Sequence, residues 1–185
     1  MSTPTISVTE SMLMTALRTA LLTLLPAASI IQGYQNRVAM PNGVVVEMTS
    51  LTDAALSTTD APPSLWNAGG ANPGLAGERR SDKWACQLDF FGTGASDAAR
   101  MVNLLVRSDY AFSVFATQTP EVLAPLYATE ARQVAFVNDS EQYEPRWMFE
   151  FHAQYNPVIL VPQDFATSLE VNPVSVDAAF PPSET

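Results

Sequence analysis

Asp82-Lys83-Trp84-Ala85-Cys86-Gln87-Leu88-Asp89-Phe90-Phe91 is the stretch from which the fold is read. Trp84, Cys86, Leu88 and Phe90 occupy every second position, and Lys83, Ala85, Gln87 and Asp89 fill the places between. A period of two marks a half-buried strand, because successive side chains of an extended chain point to opposite faces. Cys86 falls on the apolar face, which predicts an inert core residue and not a nucleophile. The same pattern returns at Arg146–Tyr155, with Trp147, Phe149, Phe151 and Ala153 on one face and Met148, Glu150, His152 and Gln154 on the other. Arg132–Val137 also reads as a strand. The turn-forming stretch Asn138–Pro145 makes these two an antiparallel hairpin.

Moving outward, Val44–Thr49 is β-branched and continuous enough for a central strand, and Ser29–Gln32 fits a short one. Ser7 and Glu10 have capping-box spacing ahead of Met12, Leu13, Ala16, Leu17, Ala20, Leu21 and Leu24, an apolar stripe at helical intervals that Pro26 ends. Gly92–Gly94 is a structural turn. Ser96 or Asp97 then caps a second helix carrying Ala98, Met101, Val102, Leu105 and Val106. Tyr110–Ala116 suits either an extension of that helix or a strand. Asn156–Pro162 continues as an extended edge segment. These elements predict an α+β fold: a mixed, mostly antiparallel sheet of about four to six strands, with two main helices packed on one face.

The expected organisation is a single domain over residues 1–185, with a core of about 9–165, a long loop at 51–81 and an extended C-terminal tail at about 168–185. The loop lacks periodicity and holds four prolines and glycines between Pro62 and Gly70 alone. Leu65 and Trp66, in its middle, either contact a neighbouring subunit or fold back on their own domain. The tail contains Pro173, Pro181 and Pro182 and one possible strand, Ser168–Val171.

Composition narrows the function. Hydrophobic residues make up 47% of the chain and charged residues 15%, against about 25% in ordinary soluble domains. So few charges reflect either surface hidden against partners or a large core. With nine Lys and Arg against 19 Asp and Glu, the formal net charge is −10. That argues against the basic stripe that sequence-specific nucleic-acid binding needs. An acidic surface still has a use where DNA must slide past without sticking. No apolar run reaches membrane-spanning length, and Glu10 and Arg18 break a signal-peptide reading, so synthesis in the cytoplasm is expected.

Catalytic equipment is sparse. The lone histidine, His152, sits mid-strand, and with Cys86 it makes only two residues of the types that hold zinc. The Gly92-Thr93-Gly94 turn follows a strand and precedes a helix, but it lacks the third glycine and the basic partner of a phosphate loop. Carboxylates remain: Asp89 and Asp97 flank that turn, and Asp139, Glu141 and Glu144 form an acidic hairpin tip. Asp97 has a sufficient role as a helix cap. No catalytic residue, metal or cofactor is expected.

Three segments together resemble a known family. The first is Ile31-x-Gly33-x-Gln35-Asn36-Arg37-x-x-x-Pro41. The second is Cys86-Gln87-Leu88-Asp89-Phe90-Phe91-Gly92 followed by Ser96-Asp97-Ala98-Ala99. The third is Leu105-Val106-Arg107-Ser108-Asp109-Tyr110, with Arg146–Tyr155 as a closing strand. Their order and spacing, from about Leu13 to Val176, resemble the neck and tail terminator proteins of tailed bacteriophages, in the branch with contractile tails. The resemblance implies a small α/β protein that closes into a ring, usually a hexamer. Such a ring caps the tail tube, with or without sheath, and meets the neck and connector proteins below the capsid. Its place is the virion, with the host cytoplasm as the site of assembly. The 51–81 loop is longer and richer in Gly and Pro than that family suggests. Another head–tail adaptor or tail-completion ring is the alternative, and a carboxylate-dependent hydrolase the third reading. Candidate subunit contacts are Gln35, Asn36, Arg37, Leu65 and Trp66. For Arg37, whose fork suits bidentate pairing with a carboxylate on the same or an adjacent subunit, a role inside the monomer is the alternative and has a slight edge.

Overall fold

The computed structural model describes residues 3–34, 42–61, 65–66, 74–120, 122–137 and 143–163. Three strands make the centre. β6 (Asp82–Phe91) lies between β3 (Val45–Ala55) and β9 (Tyr143–Tyr155), antiparallel to both. β2 (Ser29–Gln32) adds to β3 in parallel, while β7 (Ala124–Ala128) and β8 (Arg132–Val137) pair in succession along the other edge of β9. This mixed, mostly antiparallel sheet has six strands.

The helices are α1 (Glu10–Leu24), α2 (Ala95–Leu105) and α3 (Asp109–Gln118). They share one core with the sheet. Trp84, Cys86, Leu88 and Phe90 of β6 join Val46 and Met48 of β3 and Phe149, Phe151 and Ala153 of β9 on the face that Leu17, Leu21 and Leu24 cover. Each large side chain so buried contributes about 1.5–3 kcal/mol. α2 turns Ala95, Ala98 and Ala99 to the sheet, and such small residues let a helix lie close to it.

The fold is α+β as the sequence indicates, with more elements than expected. The ambiguous stretch after Ser108 is a third helix. Ser108 caps it by accepting a hydrogen bond from the Ala111 amide, and Ala111, Val114 and Phe115 form its buried side. The 51–81 segment is not one loop. It supplies the end of β3 together with β4 (Leu65–Trp66) and β5 (Gly74–Arg79). Asn156–Pro162, expected at an edge, instead contributes β10 (Val158–Pro162), an inner strand. With β1 (Thr5–Ile6) it completes a second, four-stranded sheet in the order β1-β10-β5-β4. Pairing partners lying some 80 residues away, such as Ile159 opposite Glu78, leave no local periodicity to read.

Two caps also differ from expectation. Thr9, not Ser7, begins α1, its hydroxyl accepting from the Met12 amide. The Ser7 hydroxyl accepts from the Val158 amide and so ties β1 to β10. At α2 the cap position falls on Gly94, with no side-chain cap bond. Asp97 lies inside the first turn, where its charge complements the helix dipole. Gly92 holds φ +85°, and a Cβ there would stand 2.1 Å from the Gly43 carbonyl oxygen. The turn therefore admits only glycine without rearrangement.

Candidate assembly interface

Of the expected subunit contacts, Gln35, Asn36 and Arg37 lie outside the described residues. So do Asp139 and Glu141 of the acidic hairpin tip and the tail strand Ser168–Val171. The connection that carries Arg37 leaves the sheet at a defined point. The Gly33 amide bonds to the Met48 carbonyl, and a Cβ on Gly33 would meet Thr49 Oγ1 at 2.4 Å. Tyr34 follows with φ 59° and is almost wholly exposed. Leu65 and Trp66 form β4, opposite Leu75 and Gly74 of β5, at one end of the four-stranded sheet.

Several polar side chains of the central sheet pair with one another. On the face turned away from the helices, Asp89 is buried and accepts from Arg146 Nε at 2.8 Å and from Gln87 Nε2 at 2.6 Å. The Arg146 guanidinium also lies over the Phe91 ring. Asp89 and Asp97 thus serve different elements, one on β6 and one on α2. At the other end of β6, Arg80 donates to both oxygens of buried Asp82, Tyr155 donates its hydroxyl to Asp53, and Trp84 Nε1 donates to Ser50. Burial, then the bond to Asp53, pushes the Tyr155 hydroxyl well above its ordinary range. Burial likewise pushes the Cys86 thiol up to about 12, which fits a core residue.

His152 is buried on β9 and stacks on Tyr127 of β7 at 4.4 Å. Its Nε2 stands 3.5 Å from Glu150, and among the described residues its Nδ1 has no partner. Desolvation, with the Lys83 charge second, lowers its pKa from 6.5, against the opposing pull of Glu150. The folded chain therefore resists a proton that the unfolded chain accepts, so stability falls as pH drops through and below about 6.5. We expect denaturant midpoints to fall between about pH 7.5 and about pH 5.5, and His152→Phe, which keeps the ring stack, to flatten that fall. An unchanged fall in the variant would assign the effect to other groups.

Apolar side chains are exposed along α2 and α3, where Leu104 is 79% and Phe112 59% accessible. Phe112 lines two clefts, of about 290 Å³ and about 530 Å³, that flank β7. This surface went unnoticed in the sequence because the Tyr110–Ala116 stretch did not declare itself helical. Among the described residues no helix is long and apolar enough to cross a membrane, and no group of three or more His, Cys, Asp or Glu is placed to hold a metal.

Among the described residues, then, the molecule is an α+β fold with several internal polar pairs, strand edges without a partner and exposed apolar residues on its helices. The profile of the phage neck terminator proteins matches residues 11–177, nearly the whole chain. The chain belongs to that family, and its role is a structural one in the neck and tail of the virion. Comparison with individually curated proteins gave no match.

Proposed function

We propose that this chain is a tail terminator. Copies of a single domain close into a hexameric ring that caps the tail tube, and the sheath where the tail is contractile, and joins it to the neck and head. Family membership over residues 11–177 is the observation that carries this reading. A net charge of −10 per copy supports a lumen that repels the DNA backbone, so the genome passes without binding. Subunits arranged head to tail need two different surfaces, and the edges at β2, β7 and β4, unpaired among the described residues, supply candidates. Gln35, Asn36, Arg37, Leu65 and Trp66 stay the proposed contacts, with tube, sheath and connector proteins as the other partners. The chain acts without catalysis or cofactor, assembling in the host cytoplasm before it enters the virion.

Electron microscopy of the purified protein is the direct test. Six-fold rings with an open centre are expected, and Arg37→Ala should give a folded monomer that closes no rings. A chain that stays monomeric at high concentration, and whose label is absent from the virion neck, would overturn the reading. A label at the portal instead of the tail top would favour the head–tail adaptor alternative.

A further inference from the structure

We propose that the groove between α3 and β7 receives the C-terminal segment Ser168–Val176 of a neighbouring copy, laid in as an extended strand. This rests on the proposed ring, in which copies of the chain adjoin. The groove comes first. α3 buries Ala111, Val114 and Phe115 yet leaves Phe112 59% exposed. Phe112 and Pro125 line both clefts, which therefore adjoin along β7: the one toward Asn156 is mainly apolar, and the one toward Tyr127 adds Arg107, Ser108 and Asp109 to its wall. β7 ends the strand order of its sheet, and among the described residues nothing pairs with its outer edge. The Thr129 amide bonds inward to the Glu150 carbonyl, and strand alternation then turns the Ala128 amide and carbonyl outward. Pro125 donates nothing, and a bulge interrupts the strand between Pro125 and Tyr127. Those two features discourage indiscriminate pairing, so side chains entering the clefts must supply the selectivity.

The occupant follows from where the chain leaves the structure and what comes after. β10 starts at Val158, two residues beyond Asn156 at the groove's end, and finishes at Pro162; Gln163 then bonds to the Gly74 carbonyl. The five residues of β10 span roughly 16 Å before residues 164–185 begin. A neighbour's tail is the proposed occupant, and the chain's own 22 residues after Gln163 are the competing one. Within that tail Leu169 and Val171 stand two positions apart, and so do Val174 and Val176, with Pro173 and a three-residue step between the two pairs. An extended chain sets such pairs on one face about 7 Å apart, the arrangement used when a peptide is added to a sheet edge with side chains in adjacent pockets.

Engineered cysteines test this in the full-length protein, because the native Cys86 is fully buried and stays silent. One chain carries Phe112→Cys and a second carries Val171→Cys, mixed at ring-forming concentration under mild oxidation. A covalent heterodimer whose yield rises with concentration is expected. Leu126→Cys, also facing the groove, replaces Phe112→Cys should that variant fold poorly. A chain with both substitutions that closes on itself as a monomer would show that each tail fills its own groove and overturn the proposal. Rings without any cross-link would overturn it while leaving the ring standing. Monomers without a cross-link would sink both.

Discussion

Phe90→Ala is expected to cost about 3–5 kcal/mol of folding stability. Phe90 is fully buried at the centre of the sheet, between Val46 of β3 and Trp147 of β9. Its ring stacks on Phe149 with centroids 5.4 Å apart, and the core formed by α1 and α2 closes over both. Truncation loses the transfer energy of the ring and leaves a cavity that strands on both sides cannot collapse into. Against a total stability of about 5–15 kcal/mol, that is a third or more of the margin in many domains. Phe112→Ala, on the exposed side of α3, should stay within about 0.5 kcal/mol. Urea unfolding of the two variants compares them directly. Equal small losses would mean that β6 does not anchor the core.

The contrast between these phenylalanines also marks how far the sequence could be read. β6 and β9 were legible because each buries one face in a continuous helix-covered core, so a period of two survives in the chain. The alternation was incomplete, since Ala85, Asp89 and Phe91 on the opposite face are buried too. Asp89 is buried because Arg146 and Gln87 satisfy it, and no local pattern announces a partner 57 residues away. α3 was ambiguous for a related reason: Phe112 and Phe115 are both large and aromatic, yet only one is buried, which blurs the helical stripe. The 51–81 segment hid its strands because β4 and β5 are short and one partner, β10, lies far along the chain. As for the site, the motif that led to the family also carries Arg37, whereas the α3–β7 groove needed the fold. A groove is made by two elements, and neither one displays it alone.

The Asp89–Arg146 pair provides the other large effect, and its two halves should differ. Arg146 keeps 26% of its side chain accessible, while Asp89 keeps 3%. Arg146→Met removes the cation and leaves a carboxylate sealed on the sheet with the Gln87 side-chain amide still donating to it. Removing one member of a buried pair costs about 3–5 kcal/mol, because the charge left behind is uncompensated. Asp89→Asn leaves the charge on Arg146, which can turn toward water with its long stem still packed, and should cost clearly less. Pairing Arg146→Met with Asp89→Leu removes both charges and should recover much of the loss, since two apolar groups need no partners. Chemical denaturation of the three variants gives the ranking. If Asp89→Asn proved as damaging as Arg146→Met, then the arginine would be the group held away from water, and the face turned from the helices would be covered in solution by something that blocks its escape.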